Sequence, residues 1–201
     1  MADQIINIYA FGTSTRDISK CFEREFDTRL SAETISSITD RVLPEIKSWR
    51  SRMLDPVYAI CWLDAIHYKV KDETGRAVSR AIYNVLGITK EGHKELLGMY
   101  ISKSEGANFR LEVLSDLQNR GVRYTPAIRK LIYTTNTVEG YHRKVRKVTK
   151  NKGVFPSETS LEKLVYPAYR NICKKWTMPL ANWSQISQQL AIKFGERFDI
   201  M

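Results

Sequence analysis

A continuous apolar run, Val57-Tyr58-Ala59-Ile60-Cys61-Trp62-Leu63, ends on a carboxylate at Asp64. A run of this length without polar interruption reads as a strand buried on both faces. Past Asp64 the pattern changes to alternation, with Ile66, Tyr68 and Val70 set against His67, Lys69 and Lys71. Asp72-Glu73-Thr74-Gly75 supplies a turn, Ala77–Ile88 a second strand, Lys90-Glu91-Gly92 a second turn and Glu95–Ser102 a third strand. A helix beginning near Gly106 would bury Phe109, Val113 and Leu117, with Leu114 on its flank. Three consecutive antiparallel strands followed by a helix predict an α/β (α+β) core and exclude a sandwich.

Both flanks of this core read as helical. Gln4–Phe11 stops at Gly12-Thr13, and Ser14 is placed to cap Thr15–Phe26, whose Ile18, Phe22 and Phe26 recur every four residues. Ser31 and Thr34 open a third helix with one apolar stripe, Ile35, Ile38, Val42, Ile46 and Trp49. Three helices in this arrangement fit a helix-turn-helix that offers Ser31, Glu33, Thr34, Ser37 and Arg41 to a DNA groove, or a small bundle that only packs. Downstream, Pro126 marks a first helical turn, with Ile128, Leu131 and Ile132 as its apolar surface. The spacing then predicts helices over Thr137–Lys150, Glu158–Trp176 and Trp183–Phe198, interrupted at Phe155-Pro156-Ser157 and Met178-Pro179.

The charge is asymmetric. The chain has 32 basic and 22 acidic residues in 201, a net +10. Residues 1–121 carry 17 of each sign, and residues 122–201 carry 15 basic against 5 acidic side chains. A cationic half of this kind points to a polyanion, most often nucleic acid. No apolar run approaches the roughly 18 residues of a membrane span, and no basic region followed by an apolar stretch opens the sequence. Cys21, Cys61 and Cys173 are odd in number and form no CxxC pair. They suit reduced thiols in the cytoplasm, where a DNA-directed protein would associate with the nucleoid.

Two acids stand out. A carboxylate at Asp64 inside an apolar strand costs several kcal/mol unless a divalent cation or backbone amides at a bend stabilise it. Glu139 is the one acid between Val122 and Pro156, and Arg143, Lys144, Arg146, Lys147, Lys150 and Lys152 follow it. Glu139, Arg143 and Arg146 share a helical face, which allows an ordinary Glu–Arg pair or a carboxylate aimed at a metal among phosphate-binding cations.

These residues sit in longer matching text. The segment from Leu63 through Asp64 to Val70 resembles the first catalytic aspartate segment of the bacterial Mutator-type insertion-sequence transposases. The segment Ile132-Tyr133-Thr134-Thr135-Asn136-Thr137-Val138-Glu139-Gly140-Tyr141-His142-Arg143 resembles the segment with that family's catalytic glutamate. Lys144–Lys150, Gly153–Ser157, Lys174–Pro179 and Asn182-Trp183 extend the likeness, and Ser14–Ile18 and Thr34–Ser36 resemble its DNA-binding region. The resemblance implies a ribonuclease-H-like core with an Asp-Asp-Glu triad. Such a centre holds two Mg²⁺ ions about 4 Å apart for DNA cleavage and strand transfer. Asp64 and Glu139 would be the first and third ligands, with His142 and the cations after it on DNA.

The second aspartate has no counterpart. In the family a strand, that aspartate and a helical insertion follow the text resembling Leu117–Val122; here Arg123–Arg129 follows directly, and no acid lies between Asp116 and Glu139. Asp116 itself lies off the apolar stripe of its helix and reads as a solvated residue. The loss also removes a neighbour of the Val57–Leu63 strand, which becomes an edge to be covered by C-terminal helices or by another chain. The resulting organisation is a helix-turn-helix-like region over 1–55, a truncated ribonuclease-H-like core over 56–150 and a helical C-terminal part over 151–201. The function implied is a Mutator-type transposase that binds terminal inverted repeats and target DNA with impaired catalysis, as a homo-oligomer or beside intact transposase. A non-enzymatic DNA-binding regulator and a non-functional remnant are the alternatives.

Overall fold

The computed structural model describes residues 1–102, 106–123 and 136–195. Their helices and three-stranded antiparallel sheet give the mixed α/β architecture that the sequence predicts. The chain divides into two compact units, each assembled from non-adjacent stretches.

The first unit takes Met1–Trp49, Lys69–Val78 and Tyr141–Ile172. Here α1 (Ala2–Ala10), α2 (Thr15–Phe26) and α3 (Ala32–Asp40) pack on one another. Ser14 caps α2 by accepting the Asp17 N–H at 3.1 Å, and Ser31 caps α3 by accepting the Thr34 N–H at 3.1 Å. Each cap satisfies an N–H that the first helical turn leaves open. Ile5, Ile18, Phe22 and Ile35 are buried.

The single third helix expected from the apolar stripe is two. α3 ends at Asp40 and α4 runs over Leu43–Ser51. Pro44 has no N–H for the Asp40 carbonyl four residues back. The chain tightens instead, with Arg41 and Val42 donating to Ile38 and Thr39 three residues back. The stripe survives the break, because Val42 and Ile46 are buried.

The second unit takes Arg50–Tyr68, Ser79–Gly140 and Cys173–Met201. β1 (Ile60–Lys71), β2 (Ala77–Ile88) and β3 (Lys94–Ser102) form the sheet in the order β1-β2-β3. The β2–β3 register pairs Ala81 with Ser102 and Val85 with Gly98, then shifts between Val85 and Leu86. α5 (Ala107–Asn119), with Val113 and Leu117, packs on the face that carries Cys61, Val85 and Leu97. The neighbouring positions Ile60 and Trp62 join Ile88 in a second cluster covered by α8 (Trp183–Phe194) through Ile186 and Leu190. Alternation along β1 therefore puts the two helices on opposite faces of the sheet.

β1 is an outer strand, as the sequence leads one to expect, and Asp64 lies within it and not at its end. The expectation that Asp64 is buried in an apolar environment is not met: Leu63 and Asp64 are both exposed. At an outer position they have a neighbour on one side only, and the α8 cluster reaches no further along β1 than Trp62. At the far end of β1 the edge is closed by Phe155, whose N–H donates to the Lys69 carbonyl and whose carbonyl accepts from Lys71.

The remaining helices are α6 (Asn136–Thr149) and α7 (Glu158–Cys173). Ser157 caps α7 by accepting the Ser160 N–H at 3.1 Å, and Leu161, Leu164, Val165 and Tyr169 are buried as the sequence predicts. The expected turn at Pro126, with Ile128, Leu131 and Ile132, lies outside the described residues, as do residues 196–198 of the last helix.

Candidate nucleic-acid interface

α6 sorts its side chains by helical period. Val138, Tyr141, His142, Val145 and Thr149 are buried, and Glu139, Arg143, Lys144, Arg146, Lys147 and Lys150 are exposed. Burial at steps of four, three and four, from Val138 through His142 and Val145 to Thr149, fixes the opposite face as the wet one. Among the described residues, neither Glu139 nor any of these five cations takes part in an ion pair. The possible Glu139–Arg143 pair is thus not formed. Five uncompensated positive charges on under four turns of helix repel one another, an arrangement relieved by a polyanion.

Two of the expected DNA-contacting residues are less exposed than the cations between them. His142 is only 2% exposed, with its ring 5.7 Å from that of Tyr141, and so is a core residue in this fold. Its spacing from Val138 and Val145 carried that signal in the sequence. Lys152 is half-buried, with Nζ 5.6 Å from the centre of the Tyr9 ring. Burial holds its pKa below the ordinary lysine value, opposed by the charge of Asp17. In the N-terminal bundle Ser31, Thr34, Ser37 and Arg41 are all exposed. Ser31 and Thr34 are engaged with each other at the α3 cap, their hydroxyl oxygens 3.1 Å apart.

Asp64 and Glu139 both fall in the second unit. Asp64 Oδ1 accepts the Ala65 N–H at 2.9 Å, a backbone amide of the kind the sequence offers as an alternative to a cation. Glu139 is in the first turn of α6, where an anion is favoured by the helix dipole. Asp116 is not simply solvated: its Oδ2 accepts the Tyr100 hydroxyl at 2.6 Å and lies 3.3 Å from Arg120 Nη1. The Asp116–Arg120 spacing of four was legible; the Tyr100 partner on β3 was not.

Among the described residues no group of three or more His, Cys, Asp or Glu could hold a metal ion. Among the described residues, then, no cluster of such side chains fits the ligand set that a pair of Mg²⁺ ions requires. No helix among the described residues is long and apolar enough to cross a membrane.

Comparison with known proteins bears on the same segments. The chain is 25% identical to the transposase for insertion sequence element ISRM3 of Rhizobium meliloti, over 98% of this chain and 74% of that protein. It is 24% identical to a probable insertion-sequence transposase of Corynebacterium diphtheriae, over 98% of this chain and 92% of the relative. The IS256 transposase of transposon Tn4001 from Staphylococcus aureus is 29% identical over 62% of this chain and 32% of its own length. The first two alignments span 296 and 315 positions against 201 residues, so each relative has positions with no counterpart here. The profile described as "Transposase, Mutator family" matches in two blocks, residues 1–126 and 122–179, which overlap between Val122 and Pro126. Matched from its first residue through Pro179 in those two blocks, the chain belongs to the Mutator family of transposases.

Proposed function

We propose that this chain is an internally shortened transposase that binds double-stranded DNA at the terminal inverted repeats of its element and does not complete cleavage and strand transfer. The observation that carries this reading is the exposed face of α6, with five cations that no described acid neutralises. Phosphate neutralisation by such a face supplies most of the affinity for duplex DNA. The impairment follows from the ligand count, since among the described residues no group of three His, Cys, Asp or Glu could hold a metal ion. In this reading residues 1–55 form the helix-turn-helix-like region, 56–150 the shortened core and 151–201 its helical C-terminal part, and the protein works in the cytoplasm at the nucleoid. Mg²⁺, the ion implied by the family, binds weakly or not at all.

The test has two arms. In a gel-shift assay with chelator present, a terminal-repeat duplex is shifted, and Arg143→Glu/Arg146→Glu abolishes the shift. With Mg²⁺ the same duplex is not nicked; robust nicking that vanishes in Asp64→Ala sinks the impairment.

A second reading, a regulator that joins intact transposase subunits, is favoured by the outer face of α5. Leu111 and Leu114, three residues apart, are 64% and 52% exposed. Such apolar surface suits association with a full-length copy. It predicts that titrating this chain into a strand-transfer reaction of an intact relative lowers product yield, and that Leu111→Gln/Leu114→Gln restores it.

A further inference from the structure

The tip of the β1–β2 hairpin, residues 69–78, belongs with the first unit and not with the rest of the sheet. It is tied there by one bridge, in which Phe155, five residues after Lys150, pairs alongside Val70. Val70 and Phe155 are both fully buried. Alternation along the strand then turns the flanking Lys69 and Lys71 outward together, and both are exposed. Arg76, across the turn, is exposed as well. None of these three side chains forms an ion pair among the described residues. The acid beside them, Asp72, is committed to the turn: its Oδ1 accepts from the Thr74 N–H, the Thr74 hydroxyl and the Arg76 N–H. A hairpin tip that carries three free cations, bridged to Phe155 five residues past the last cation of the α6 face, is suited to following a phosphate backbone past the point where the helix stops.

Resting on the DNA-binding reading above, we infer that Lys69, Lys71 and Arg76 form a second phosphate-contacting element, which extends the α6 surface along the same duplex. The chemistry of the contact is ammonium and guanidinium to phosphate oxygen, so it positions the DNA and reads no bases.

The experiment is a salt titration of binding to two duplexes, one with a terminal repeat and one of scrambled sequence, using the full chain. Lys69→Gln/Lys71→Gln removes two phosphate contacts. It lowers affinity for both duplexes by the same factor, roughly tenfold at low salt, and reduces the slope of log K against log salt by about two. Lys69→Arg/Lys71→Arg restores both quantities. Lys174→Gln/Lys175→Gln, equal in charge change and drawn from neither α6 nor the hairpin, shifts affinity less than about twofold. Three results overturn the inference: an unchanged slope in the Gln pair, an equal loss in the Lys174/Lys175 control, or a loss confined to one sequence. If the native chain binds neither duplex, the DNA-binding reading falls and takes this one with it. If Arg143→Glu/Arg146→Glu abolishes binding while the hairpin pair leaves it intact, only the hairpin element is lost. All variants alter exposed side chains, and an unchanged thermal melt shows the fold is retained.

Discussion

Tyr100 on β3 donates its phenolic hydroxyl to Asp116 Oδ2 on α5 at 2.6 Å, and Arg120, one helical turn on, approaches the same oxygen at 3.3 Å. Arg120 is nearly fully buried and its Nε also donates to the Arg52 carbonyl, so this triad ties α5 to the sheet and to the strand approach at once. Tyr100→Phe removes one charge-assisted hydrogen bond and is expected to lower stability by about 1.5–3 kcal/mol in urea denaturation. Asp116→Ala strips Arg120 of its paired carboxylate and is expected to cost more. A Tyr100→Phe protein as stable as the native one refutes the assignment.

Lys163 on α7 is buried, with 6% of its side chain exposed, and lies 2.6 Å from Asp40 at the end of α3. Removing the acid leaves the buried ammonium to the Ser36 carbonyl and hydroxyl oxygens, each at 3.4 Å, whereas replacing the lysine with an apolar chain of similar length leaves no buried charge. Asp40→Ala is therefore expected to destabilise by about 2–4 kcal/mol and Lys163→Met by less. The order of the two melting temperatures is the check.

Gly12 adopts φ +92, and a Cβ at that position would lie 2.1 Å from the Val148 carbonyl oxygen. Both the left-handed backbone and the close approach of α6 exclude a side chain. Gly12→Ala is expected to destabilise by about 3 kcal/mol or more, in contrast to Gly75→Ala, where the backbone is strained but the space is open. Parallel melts of the two variants separate the steric contribution from the conformational one.

The Cys61 thiol is pushed up to about 12 from its ordinary 9.0, chiefly by burial and then by the charge of Glu95. Burial likewise raises the phenols of Tyr58 and Tyr100 above their usual 10.0. Each group holds its proton longer in the folded chain than in the unfolded one. Stability is thus complete below about pH 9 and declines as pH rises toward 12. Denaturation midpoints taken between about pH 8 and pH 10.5 should fall, and Cys61→Ala should flatten the first part of that fall.

His142 separates a packing role from a contact role. Because its ring is buried, His142→Ala is expected to cost roughly 1–3 kcal/mol of stability while the folded fraction binds DNA with native affinity. A large loss of affinity at unchanged stability would return His142 to the DNA surface.

Much of the fold was legible because local rules decide it. Ser14, Ser31 and Ser157 each sit where a helix needs an oxygen, and the hairpin turns at Asp72–Gly75 and Lys90–Gly92 are written in residues that favour them. The split between α3 and α4 was also written, in Pro44, but the apolar stripe running across it spoke for one helix. Asp64 misled for a different reason. An apolar run says that a strand wants burial and not which of its residues obtain it, and that depends on where α8 stops. The candidate site was legible in its charges and not in its exposures. His142 and Lys152 look like their cationic neighbours in the sequence, and only packing against the rest of the first unit separates them.

Trp183 caps the second β-turn: its Nε1 donates to the Lys90 carbonyl at 3.0 Å, and the Leu180 N–H donates to the Gly92 carbonyl at 3.0 Å. The helix that follows is what shields Ile60, Trp62 and Ile88. During translation, then, one side of the finished hairpin waits bare while some ninety further residues are threaded out of the ribosome. That exposed apolar face is open to aggregation throughout the interval, so the order of synthesis, and not only the finished contacts, bears on how cleanly this chain folds.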